Sequence, residues 1–204
     1  MIIENSSSET SEAQIEKLFN EQKSFRWEVA ESTFTQRKLW LENLRIHILD
    51  HEESLKTALW QDFGKHAFEV ELSELTPCIE EINHALKNLK KWMQGKRVFT
   101  PPFLMPARSS IRPEPKGQVL ILSPWNYPFN LCMSPLISAV AAGNTAILKP
   151  SEKTPNTGLL IQKIISDVFP SRHVSVVLGD AKVAATLTQL PFDHIFFTGS
   201  TAVG

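Results

Sequence analysis

Cysteine is scarce in this sequence. Its 204 residues hold only Cys78 and Cys132, both in helix-like contexts and with no leader peptide ahead of them, which argues against a disulfide framework. A reducing compartment follows, and a cytoplasmic location is the expectation. Charge of one sign is also missing: 21 Lys and Arg stand against 22 Asp and Glu, a formal net charge of -1. Nothing here gives nucleic acid or a membrane surface an electrostatic footprint. The longest mostly apolar stretch, Leu131 to Gly143, is broken by Ser134, Pro135 and Ser138 and falls short of the ~20 residues that span a bilayer, so no transmembrane segment is expected. No internal repeat occurs, and no Gly-x-Gly-x-x-Gly, so the usual dinucleotide fingerprint is absent. His47 and His51 have the spacing of paired metal ligands, but no third ligand and no His-Glu-x-x-His accompanies them, and no metal site is expected.

What is present is the composition of a globular chain able to bury a core, with 42% hydrophobic and 21% charged residues. Residues 1–11 carry only Ile2 and Ile3 as apolar anchors among Ser, Glu and Thr, and read as a mobile tail. Residues 12–97 read as helical. A first helix runs from Ser11 through Ile15, Leu18 and Phe19; a second spans about Thr33 to Phe63, with Leu41, Leu44, Ile48, Leu55 and Leu59 on one face and Gly64 as its stop. In a third, Leu72, Leu75, Ile79, Ile82, Leu86, Leu89 and Met93 form a seam at alternating spacings of three and four, fit for a partner helix or for docking on its own domain. Pro77 kinks or starts this helix. Residues 98–117 contain Pro101, Pro102, Pro106, Pro113 and Pro115, and form an extended arm or a linker, with Ser109 to Pro115 suited to an edge strand.

After Gly117 short apolar runs alternate with amphipathic segments. Strands are expected at Val119 to Ser123, Thr145 to Lys149, Val174 to Leu178 and His194 to Thr198, and helices at Leu131 to Ala142, Pro155 to Phe169 and Ala181 to Gln189. Strand, helix, strand at these lengths predicts right-handed crossovers and a Rossmann-like parallel sheet over 118–204. The fold class is α/β, with a helical segment before the sheet.

In such sheets ligands bind beyond the carboxyl ends of the strands, so the residues just past each strand carry the functional reading. After Val119 to Leu122 come Ser123, Pro124, Trp125 and Asn126, then Tyr127, Pro128 and Phe129. The two prolines shape a turn and Trp125 can simply pack, but the Asn126 amide, held between them, can donate to a ligand oxygen. Lys149 closes the next strand, followed by Pro150, Ser151 and Glu152; Lys donating and Glu accepting can hold two ribose hydroxyls, or form a surface ion pair. Thr198, Gly199 and Ser200 follow the last strand, where Gly199 allows a phosphate to approach and Ser200 or Thr201 can cap a helix, or where the turn is simply capped.

These three motifs in this order, Ser123 to Phe129, Leu148 to Glu152 and Phe197 to Gly204, resemble the aldehyde dehydrogenase superfamily, nearest its short-N-terminus fatty or aromatic aldehyde branch. The resemblance runs from about Leu59 to Gly204. It implies an NAD site, with NADP possible, contacted by Ser123, Pro124, Trp125, Lys149, Ser151, Glu152, Gly179, Thr198, Gly199, Ser200, Val203 and Gly204. Within that set Lys149 and Glu152 take the adenine ribose, Gly179 lies beside the adenine, and the Gly199 motif cradles the pyrophosphate; Glu152 would repel a 2′-phosphate. Asn126 becomes the catalytic donor to the oxyanion formed when a Cys thiolate adds to the aldehyde. The resemblance further implies a homo-oligomer through the 98–117 arm.

The family's nucleophilic Cys and general-base Glu lie further along than the Gly199 motif, and Cys78 and Cys132 match neither, so both are assigned to packing. The expectation is therefore an incomplete domain, the cofactor-binding N-terminal part of an NAD(P)-dependent enzyme oxidising aldehydes to carboxylic acids, inactive by itself. Two other readings remain at this stage: a non-catalytic dinucleotide-binding or oligomer-forming module, and a different reductase on the same fold, against which the three motifs argue.

Overall fold

The computed structural model describes residues 9–202 and 204. Four parallel strands, β3 (Gln118–Leu122), β4 (Thr145–Lys149), β5 (Val174–Val176) and β6 (His194–Phe197), lie in the order β5-β4-β3-β6. They are the strands expected: β4 has the expected bounds, β3 is shifted back by one residue, and β5 and β6 end two and one residues early. Between them run α6 (Asn130–Ala142), α7 (Pro155–Val168) and α8 (Ala181–Gln189).

Alternation along the strands divides the core in two. Val119 and Ile121 of β3 with Ala146 and Leu148 of β4 bury one face of the sheet against α6, α7 and two earlier helices, α2 (Phe34–Asp50) and α5 (Thr76–Met93). Leu120, Ile147 and Val177 face the other way, onto Leu187 of α8 and onto Ile15 and Phe19 of α1 (Glu12–Ala30). Two buried glutamines of this layer bond α1 to the sheet: Gln22 Nε2 donates to the Ala146 carbonyl (2.9 Å) and to Ser175 Oγ (3.0 Å), and Gln118 Nε2 to the Phe19 carbonyl (3.0 Å).

Several expectations for the N-terminal part need correction. The tail does not reach residue 11: residues 1–8 lie outside the described residues, but Thr10 exchanges hydrogen bonds with Leu178 (3.0 and 3.2 Å) and Ser11 closes a capping box with Gln14. The single helix from Thr33 to Phe63 is two, α2 and α3 (Glu52–Phe63). At His51 the backbone leaves helical geometry (φ -103°, ψ 14°) while its ring Nδ1 sits 2.8 Å from the His47 carbonyl, and Glu52 and Glu53 open a fresh helix at its positive end. Gly64 ends α3 in the left-handed region (φ 70°).

The third helix begins as the single turn α4 (Ala67–Val70), passes through a π-helical turn at Glu71–Leu75, and continues as α5. Pro77 is the second residue of α5, directly after the π turn. The π turn adds a residue to the helical repeat and rotates the seam, which puts Leu72 outside it at 62% exposure while Ile82 and Leu89 are buried on the protein's own core. The helical segment stops at Met93, short of residue 97, because Lys96–Val98 (β1) pairs antiparallel with Ser109–Ile111 (β2). The arm is thus a two-stranded ribbon with a short 3₁₀ turn, Pro102–Leu104, at its tip.

Among the described residues no helix is long and apolar enough to cross a membrane, and no group of three His, Cys, Asp or Glu side chains could hold a metal ion. His47 Nδ1 lies 2.9 Å from the Asn43 carbonyl, so both histidines of the spaced pair are engaged by their own helix.

Candidate functional site

The parallel register makes three strand ends level. Leu122 stands opposite both Lys149 and Phe197, so the turns after β3, β4 and β6 open on one edge. The chain leaves β3 through α6 toward β4 and β5 on one side, then returns through α8 to β6 on the other. Such a reversal in strand order opens a crevice at the carboxyl ends.

A groove of about 620 Å³ occupies that place. Ser123, Lys149, Ser151, Glu152 and Gly204 line it together with Leu122, Ile195, Phe197 and the α8 residues Ala181, Ala184, Ala185 and Thr188. Lys149 is buried, and its Nζ lies 3.0 Å from Glu152 Oε2, whose side chain is 44% exposed. Burial would raise the Glu152 carboxyl, but its own backbone amide and the Lys149 ammonium outweigh that and hold it below the usual carboxylate range. Ser123 Oγ is buried with no hydrogen-bond partner among the described residues. Its side chain follows Val119 and Ile121 on the α6 face, against the Cys132 thiol.

Not every candidate borders this groove. Gly179 stands in the turn between β5 and α8 with φ +149°, where a Cβ would come within 2.5 Å of Val183 Cγ2; only glycine lets the turn close onto α8. Thr198 continues β6 by donating to the Leu122 carbonyl (3.1 Å), and the Gly204 N–H reaches the Ser200 carbonyl at 3.2 Å, one helix-like turn across the Gly199 motif. Val203 lies outside the described residues. Pro124 and Trp125 continue the turn after Ser123, with the Lys153 ammonium 5.9 Å from the centroid of the half-exposed Trp125 ring.

The α8 face was missed by sequence reasoning, although it had a signal. Ala181, Ala184, Ala185 and Thr188 are small residues on one helical face, which lets the helix stand back from the strand ends and leave room.

Asn126 is exposed, and its turn is held from beneath by residues that sequence reasoning also missed. Lys65 Nζ donates to the Asn126 carbonyl (3.2 Å) and to Glu74 Oε1 (2.5 Å), and Glu74 Oε2 accepts from the Asn130 N–H (2.9 Å). Burial pushes the Glu74 carboxyl upward against the Asn130 amide and Lys65, which pull it down. Both thiols are buried. Burial raises the Cys78 thiol strongly and pushes Cys132 up to about 12, so neither supplies a thiolate near neutral pH.

Known proteins resemble this chain in sequence and fold. The model of the family described as "Aldehyde dehydrogenase family" matches residues 4–204. The 4,4'-diaponeurosporen-aldehyde dehydrogenase of Staphylococcus aureus is 42% identical over 93% of the chain, and the probable coniferyl aldehyde dehydrogenase of Pseudomonas aeruginosa is 38% identical over 94%. A substrate-bound state of Staphylococcus aureus AldH superposes with TM-score 0.90 and 42% identity over 93% of the chain. Aldehyde dehydrogenase 21 of Physcomitrella patens, at 21% identity over 96% of the chain, shares the fold with TM-score 0.85. The chain spans about two fifths of these proteins, 41% and 40% of the two enzymes and 42% and 41% of the two structures. This chain belongs to the aldehyde dehydrogenase family.

Proposed function

We propose that these residues form the NAD(P)-binding N-terminal part of an enzyme that oxidises aldehydes to carboxylic acids, with the nucleophilic Cys and the general-base Glu supplied by residues beyond Gly204. The observation that carries this is the groove at the strand reversal, where buried Lys149 is paired with half-exposed Glu152. A nicotinamide dinucleotide, when bound, supplies a hydride acceptor. Lys149 donates to, and Glu152 accepts from, the hydroxyls of one ribose. Ser123, Pro124, Trp125, Ser151, Gly179 and the motif from Thr198 to Gly204 line its path. The Glu152 charge disfavours a 2′-phosphate, which makes NAD the preferred cofactor. Asn126 donates its amide to the oxygen that becomes negative as the aldehyde carbon turns tetrahedral. Relatives named for 4,4'-diaponeurosporen-aldehyde and coniferyl aldehyde support an aldehyde substrate.

The same reading includes a homo-oligomer formed through the 98–117 arm. Phe99, Phe103 and Met105 of the ribbon are 75–83% exposed, an apolar surface suited to a second copy.

A second reading is a non-catalytic dinucleotide-binding or oligomer-forming module, in which both buried thiols again only pack. NADH formation with short, long and aromatic aldehydes separates the two. The complete enzyme turns over and the 204-residue chain does not; a complete enzyme without turnover leaves the module. Steady turnover by the 204-residue chain, abolished by Cys78→Ser or Cys132→Ser, would overturn the assignment of the nucleophile.

A further inference from the structure

The turn carrying Asn126 is gripped at both ends by one ion pair. Lys65 and Glu74, 2.5 Å apart, have side chains only 3% and 0% exposed. Lys65 holds the Asn126 carbonyl and lies 4.1 Å from the centroid of the Tyr127 ring. Glu74 holds the amide of Asn130, the first residue of α6, and Asn130 Nδ2 donates back to the Ser73 carbonyl (3.0 Å). The backbone is therefore fixed on either side of Tyr127, Pro128 and Phe129, against the segment that runs from Lys65 to the π turn.

Stability alone is a weak reason for such a pair. Desolvating two charges offsets much of their attraction, and apolar residues of similar volume often serve the fold as well or better. What apolar residues lack is a directional hold on a carbonyl and an amide. A donor that stabilises a transient negative oxygen acts best when it is already aimed, with no reorganisation left to make.

We infer that Lys65 and Glu74 are positioning residues for the aldehyde chemistry, fixing the backbone at Asn126 so that its side-chain amide stands aimed before charge develops. The inference rests on Asn126 as the oxyanion donor. Glu74 neutralises Lys65, so the pair works through placement of the turn rather than through its field at the reacting oxygen.

The test is kinetic, in the complete enzyme that contains this chain. The pair variant Lys65→Met/Glu74→Leu lowers kcat by roughly ten- to a hundredfold, the cost of a misplaced group, with KM and NAD affinity little changed. Combining it with Asn126→Ala gives no further loss beyond Asn126→Ala alone, because both changes remove one function. Lys65→Met/Glu74→Gln, which keeps an acceptor for the Asn130 amide and leaves no buried charge unpaired, recovers part of kcat, and it replaces the first pair variant in the cycle if that variant does not fold. A pair variant with normal kcat while Asn126→Ala is impaired overturns the positioning role and leaves the donor role standing. Additive losses in the combined variant overturn it too, since the pair would then act independently. Normal kcat in Asn126→Ala removes both roles.

Discussion

The Lys149 ammonium lies 3.0 Å from the Glu152 carboxylate, buried at its own end and half-open to the groove at the other. This asymmetry suits a site that offers one donor and one acceptor to a diol. Replacing Glu152 by Gln removes the like charge that a 2′-phosphate would meet. The NADP-to-NAD affinity ratio of the complete enzyme should rise by up to about fivefold, the size of one screened, partly exposed charge pair. Lys149→Ala should weaken both cofactors. Competitive titrations with the two dinucleotides measure this, and an unchanged ratio counts against the placement.

Asn126→Ala should lower kcat of the complete enzyme by ~10²–10³, the effect of losing one oxyanion donor. Cofactor affinity and thermal stability should stay near those of the parent, because the Asn126 side chain is exposed and its backbone carbonyl is what the fold uses. Turnover close to normal in this variant would remove the donor role.

The strands, their order of appearance and the motifs past their ends were legible from apolar runs and punctuating Pro and Gly. The ties that hold those motifs were not. Lys65 and Asn126, or Asp62 and Thr157, are far apart in sequence, and a lone Lys or Asp carries no local sign of its partner. The break at His51 was missed because the apolar face of α2 continues in phase into α3, and the π turn before Pro77 was missed because an inserted residue leaves no pattern of its own. The small residues of the α8 face stand at helical spacing, but the same pattern marks any ordinary helix and does not single out a groove.

Asp62 illustrates such a tie. Its carboxylate accepts from the backbone N–H and side chain of both Asn156 and Thr157, at 2.6–3.0 Å, and so caps α7 from another helix. Asp62→Ala should cost about 2 kcal/mol, the upper range for a lost helix cap. Denaturant unfolding measures it; a midpoint equal to that of the parent chain would show that α7 does not depend on this cap.

His173 sets an acid limit on the fold. Packed among Trp40, Phe169 and Phe25 with ring centroids 4.4, 5.1 and 6.4 Å away, it is held neutral by burial, which lowers it to about 4 from an ordinary 6.5. The unfolded chain binds the proton first, so the contribution to stability is complete above about pH 6.5 and is lost as pH falls toward 4. It amounts to roughly 3 kcal/mol at ~1.4 kcal/mol per unit. His173→Phe should therefore show a smaller drop in Tm between pH 7 and 4.5 than the parent chain. Equal drops would mean that His173 does not titrate this way.

The most direct measurement on the central claim is an NAD titration of the isotope-labelled 204-residue chain followed by two-dimensional NMR, which detects even weak binding. Saturable shifts should gather at Ser123, Lys149, Ser151, Glu152, Gly179 and the Gly199 motif, and should need markedly more NAD to saturate in Lys149→Ala. Shifts confined to other surfaces, or shifts that saturate equally in the parent chain and Lys149→Ala, would contradict the dinucleotide site.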